Sequence, residues 1–164
     1  MPLHRHEERS NLNELLAAAA QQLIDAGDFD PEGITDARKR VLSSIVRRMG
    51  RPAFRQHLLK AYSGRCAISG CDVEFVLDAA HIVPYRGRKT NHPGNGLLLR
   101  TDLHTLFDLK LVAVDVETMT LLVSRKLSGT SYEQYHGRPI RTPDDPGSQP
   151  SPNALERHRQ ESEL

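Results

Sequence analysis

The stretch from Val76 to Leu109 constrains this chain more than any other. An apolar, strand-like run over residues 75–83 gives way to a loop over 85–94 that is rich in Gly, Pro and basic residues. Asn95-Gly96 turns the chain into a second short apolar run, residues 97–99. A helix starts at Thr101 with Leu103, Leu106, Phe107 and Leu109 on its apolar side. The order strand, loop, strand, helix brings four polar residues into one small unit: His81, Asn95, His104 and Asp108.

The rest of the chain reads as support for that unit. A length of 164 residues leaves room for one ordinary domain, and with 38% hydrophobic residues and no Trp the core is built from Leu, Val, Ile and Ala. Residues 11–26 predict a helix capped by Ser10 or Asn11 and stopped by Gly27, with Leu12, Leu15, Leu16, Leu23 and Ile24 near helical spacing. A second helix, from Thr35 to Gly50, carries the apolar stripe Val41, Leu42, Ile45, Val46. A third opens on Pro52, with Phe54, Leu58, Leu59 and Tyr62 inward. Residues 111–116 and 118–124 predict a hairpin, and residues 153–163 a charged terminal helix. The expected division is an N-terminal helix and link (1–34), a helical lead-in plus core (35–126) and a C-terminal extension (127–164).

Charge is distributed unevenly. Residues 36–110 hold fourteen Lys or Arg against six Asp or Glu, whereas the remainder holds eight against fifteen. A basic middle suits a polyanion, although a solvated helix face explains many of these charges equally well. No apolar run reaches ~18 residues, and the N-terminal residues lack the apolar segment of a secretory signal. The expectation is a soluble, cytoplasmic chain without a membrane partner. Two cysteines, Cys66 and Cys71, are too few for a disulfide framework or a four-cysteine zinc site, and read as buried or turn thiols.

Spacing gives the polar residues a chemistry. His104 and Asp108, four apart on a helix, share a face, and an imidazole nitrogen beside a carboxylate oxygen suits a divalent metal. His81, delivered across the hairpin, is a neutral imidazole suited to deprotonating water. The Asn95 amide can tie the loop to the strand bearing His81. Arg86, Arg88 and Lys89 place three cations in the loop, where they can lie along a phosphate backbone; the rival footprint is the basic face at residues 38–48.

The runs Asp78-Ala79-Ala80-His81-Ile82-Val83-Pro84-Tyr85 and Asn95-Gly96-Leu97-Leu98-Leu99-Arg100-Thr101-Asp102-Leu103-His104-Thr105-Leu106-Phe107-Asp108 closely resemble the HNH endonucleases, in particular the bacterial subgroup with Ala-Ala-His-Ile, Asn-Gly-Leu and His-x-x-Phe-Asp motifs. The resemblance is strong over about residues 54–116. It implies an α+β fold: a ββα-metal (His-Me finger) core with N-terminal helices and a C-terminal extension. It implies DNA phosphodiester hydrolysis with His81 as general base, Asn95 holding the loop and orienting that base, and His104 as a metal ligand, with Asp108 at the place of another helical ligand. The ion would be Mg²⁺, with Mn²⁺, Ni²⁺ and Zn²⁺ as other candidates, stabilising the leaving oxygen. One position departs from the pattern. Many members place a ligand immediately before the base, where this chain has Ala80; Asp78, two residues back on the same strand face, is the substitute candidate.

The expected partner is DNA. Two rivals to a self-sufficient nuclease are an effector subunit of a restriction or antiphage system that a sensor protein activates, and a degenerate relative that only binds DNA. A homo-oligomer is compatible with each. Asp102 reads as a first-turn helix acid and His92 as a loop histidine. His57, His136 and His158 show no partner pattern.

Overall fold

The computed structural model describes the backbone from residue 34 and side chains from residue 40. The N-terminal helix expected over 11–26 lies outside the described residues. The chain divides into two compact units, Met1–Leu42 and Ser43–Leu164. Helix α1 (Ile34–Met49) begins in the first unit and ends in the second. No helix among the described residues is long and apolar enough to cross a membrane.

The second unit is built on two antiparallel hairpins. Strands β1 (Leu77–His81) and β2 (Gly96–Arg100) form the first, with Asp78 opposite Leu99 and His81 opposite Gly96. Strands β3 (Val112–Asp115) and β4 (Thr120–Val123) form the second. Helix α2 (Pro52–Ala61) precedes the first hairpin and α3 (Thr101–Asp108) joins the two. Helix α4 (Pro152–Ser162) closes the chain.

Local chemistry explains most of these boundaries. Pro52 occupies the first helical position of α2, where its missing N–H costs nothing. Ser63 and Gly64 follow the helix in left-handed conformation, at φ 52° and 66°, and end it. Ser151 caps α4 by accepting from the backbone N–H of Ala154, with Pro152 next. Phe54, Leu58, Leu59 and Tyr62 from the α2 segment, Leu97 to Leu99 from β2, Leu103 and Phe107 from α3, and Leu155 from α4 share one buried core. Each such apolar side chain contributes roughly 1.5–3 kcal/mol by leaving water.

Strand β1 is buried on both faces, which explains its small residues. Gly50, at φ 96°, lies so close to Ala79 that a Cβ there would sit 3.1 Å from both the Ala79 Cβ and its carbonyl oxygen. Gly96 is tighter still. A Cβ at this position would fall 2.6 Å from Phe54 Cζ and 2.7 Å from Leu58 Cδ1, so α2 can lie against β2 only because residue 96 has no side chain.

Two expectations need correction. The strand expected over 75–83 is shorter: Glu74–Val76 forms a 3₁₀ turn, with Phe75 84% exposed, before β1 begins at Leu77. Pairing decides this, because β2 ends at Arg100 opposite Leu77 and offers nothing to earlier residues. The stripe Val41, Leu42, Ile45, Val46 on α1 is exposed, from 42% to 62%, instead of buried. The positions against the first hairpin are filled by Phe54, Leu58 and Leu59 of α2.

Candidate active site

His104 is the centre of the polar cluster. Its Nδ1 lies 3.0 Å from Asp78 Oδ2 and its Nε2 lies 3.3 Å from Asp108 Oδ2. Asp78 is only 1% exposed, and a carboxylate so deep needs donors. It has them in the Thr101 hydroxyl, 3.2 Å from Oδ1, and in His104 Nδ1–H. A hydrogen bond to the Asp78 carboxylate needs the donor on Nδ1, and Nε2 faces Asp108. Asp108, 61% exposed at the end of α3, is open to solvent. Arg48 donates to Thr105 Oγ1 at 2.8 Å on the same helix.

Those donors fit a divalent ion. Two ligands about 2.1 Å from one metal and roughly 90–110° apart lie about 3.0–3.4 Å from each other. The 3.3 Å between His104 Nε2 and Asp108 Oδ2 falls in that range. Asp78 bonds the opposite nitrogen of the same ring. Among the described residues no group of three or more His, Cys, Asp or Glu is placed to hold a metal.

His81 has a separate setting. Asp78 and His81 are three apart on β1 and leave opposite faces of the strand. Asp78 meets α3, whereas the His81 ring stacks on Phe54 of α2 at 4.3 Å and 15°. Tyr85 meets the ring edge-on at 5.9 Å, and the Arg51 guanidinium lies 4.0 Å over the Tyr85 ring. Gly96 stands opposite His81 in the hairpin, so the contact that forbids a side chain at Gly96 also keeps Phe54 against the imidazole.

Asn95 closes the loop, as its position at the mouth of the hairpin suggests. Its Oδ1 accepts from Val83 N–H at 2.8 Å, and its Nδ2 donates to the carbonyls of Val83 and Thr90 at 3.0 and 2.9 Å. The residue touching His81 is Asn91, whose Oδ1 lies 3.0 Å from Nε2. The motif pattern singles out Asn95 and gives no signal for Asn91. Arg86, Arg88 and Lys89 are all exposed on the loop that Asn95 pins.

Residues 66–115 match the HNH endonuclease family. The matched segment runs from Cys66 to Asp115 and contains His81, Asn95, His104 and Asp108. Among solved structures, the chain is similar to a modification-dependent TagI restriction endonuclease, at 21% identity and a TM-score of 0.49 over 65% of this chain. It spans 36% of that chain's length. No curated protein matches at a significant level.

Other polar groups around the matched segment have partners within the fold. Cys66 and Cys71 are free thiols; Cys66 Sγ accepts from the N–H groups of Ser69 and Arg100 at 3.4 and 3.3 Å. Asp102, expected to be a first-turn acid, takes a two-pronged bond from Arg100 at 2.6 and 2.8 Å and a third from the Tyr132 hydroxyl. The Arg100 bond holds its carboxyl down at about 2. His92 Nδ1 accepts from Gly94 N–H within the loop. His158, for which the sequence showed no partner, is 2% exposed. Its ring stacks on Phe107 at 3.6 Å, and its Nε2 bonds the Phe107 carbonyl at 2.9 Å. Burial, reinforced by the Lys110 charge, pushes it down to about 4.

Proposed function

We propose that this chain hydrolyses phosphodiester bonds of DNA as a metal-dependent HNH nuclease. The observation that carries the reading is the family match over residues 66–115, which contains all four polar residues of the unit. His81 takes the proton from the attacking water. His104 Nε2 and Asp108 hold the ion, Mg²⁺ in the first instance, and Asp78 acts through His104 by keeping its proton on Nδ1. A bound ion supplies positive charge where the leaving oxygen becomes negative. Phe54 and Tyr85 hold the His81 ring in plane, Asn95 fixes the loop, and Arg86, Arg88 and Lys89 lie along the backbone phosphates.

The test is cleavage of plasmid DNA by the purified chain with and without Mg²⁺ or Mn²⁺. Wild type cuts only with the ion, and His81→Ala loses roughly 10²–10⁴-fold in rate while keeping its fold and its ion affinity. Cleavage by His81→Ala at the wild-type rate across pH 6 to 9 removes His81 from the role of base.

A further inference from the structure

A general base works only if the lone pair it uses is fixed and faces the water. In the ring of His81, one nitrogen already has a partner: Nε2 lies 3.0 Å from Asn91 Oδ1. An amide oxygen accepts and cannot donate, so this bond requires the proton on Nε2 and leaves the lone pair on Nδ1. Asn91 is itself firmly placed. It ends the 3₁₀ turn Arg88–Asn91, whose neighbouring Thr90 donates its hydroxyl to Gly87 O at 2.6 Å and accepts from Arg86 N–H at 3.1 Å. Asn95 Nδ2 then holds the Thr90 carbonyl at 2.9 Å. The ring it meets is held too, between Phe54 on one face and the edge contact with Tyr85. The groups facing His81 are thus Phe54, Tyr85 with Arg51 over its ring, and Asn91; of these only Arg51 carries a charge.

We infer that Asn91 is the positioning residue of His81, fixing the Nε2–H tautomer so that Nδ1 is the atom that accepts the proton from water. Asn95 reaches the base only indirectly, by fixing the turn that delivers Asn91. The inference rests on the reading of His81 as the base and adds a residue outside the four that the sequence singles out.

Two readouts on the full chain test it. Long-range ¹⁵N–¹H spectra of the imidazoles, with His81 assigned through His81→Ala, show His81 with its proton on Nε2 in wild type. In Asn91→Ala the two tautomers mix, and cleavage falls by about tenfold or more with unchanged Mn²⁺ affinity. Asn91→Asp keeps an acceptor at the same place and adds a negative charge. It therefore retains the Nε2–H tautomer and cleavage on the alkaline plateau, and moves the acid limb of the pH–rate profile up by about one pH unit or more. Proton density on Nδ1 in wild type overturns the inference, as does a tautomer and pH profile indifferent to both substitutions. If Asn91→Ala fails to fold, the Asn91→Asp profile and the wild-type spectrum decide. A wild-type chain that cuts no DNA refutes the nuclease reading alone, because the tautomer is still read by the spectra.

Discussion

Mild acid lowers the stability of the fold through a single buried residue of the C-terminal helix. His158 of α4 is buried against Phe107 and donates Nε2–H to the Phe107 carbonyl, one residue before Asp108. Its proton affinity in the folded chain corresponds to about 4, against 6.5 for the free side chain. The unfolded chain therefore takes up the proton first. The stability due to keeping His158 neutral is complete above pH 6.5 and is lost as pH falls towards 4. The full effect is about 3 kcal/mol, and about 2 kcal/mol of it disappears between pH 7 and pH 5. Asp102 acts in a lower window: its depressed carboxyl stabilises above its ordinary value of 3.8, and that contribution is lost as pH falls to about 2. Urea unfolding of wild type and His158→Gln at pH 7, 6 and 5 isolates the histidine. The variant is less stable at pH 7, where it has lost the stacked ring, and the gap narrows by about 2 kcal/mol at pH 5. A gap that stays constant from pH 7 to 5 refutes the argument.

Further expectations concern the site. His104→Ala and Asp108→Ala each abolish most Mn²⁺ binding by calorimetry, while Asp78→Asn weakens it by about 10–100-fold, because a neutral amide on Nδ1–H makes Nε2 a less basic ligand than a carboxylate does; unchanged affinity in all three moves the ion elsewhere. Replacing Arg86, Arg88 and Lys89 together by Ala weakens binding equally for unrelated duplexes and flattens the salt dependence by roughly 0.9 per lost phosphate contact. An unaltered slope in that variant, with a reduced slope after neutralising Arg40, Arg47 and Arg48, places the footprint on α1. Gly96→Ala costs about 1–3 kcal/mol in chemical unfolding because its Cβ meets Phe54 and Leu58, and it lowers cleavage as Phe54 shifts on His81; wild-type stability in that variant contradicts the packing described above.

Local signals made much of this protein legible before its folding was known. Helix α2 announces itself by Pro52, its apolar stripe and Ser63-Gly64. The two hairpins and α3 follow from short apolar runs separated by turn residues, and the terminal helix from the charged run over residues 153–163. The four-residue spacing of His104 and Asp108 was enough to place them on one face, since a helix converts sequence distance into spatial distance by a fixed rule.

What the chain alone left open depended on contacts between residues far apart in sequence. Asp78 and His104, 26 positions apart, meet because the β1–β2 register brings the start of α3 over Asp78. His158 and Phe107 are 51 apart, and their stacking depends on where α4 docks. The stripe on α1 has the periodicity of a buried face, yet α2 takes the places against the hairpin. The Asn-Gly-Leu motif singles out Asn95, but only the fold of the loop brings Asn91 to the imidazole while Asn95 bonds the backbone. The sequence by itself determined which elements form and which side chains carry chemistry, because propensity, capping and periodicity act over a few residues. The tertiary structure decided which partners the ring nitrogens of His81, His104 and His158 meet, because a hydrogen bond is set to within tenths of an ångström by the packing of the elements that carry its two ends.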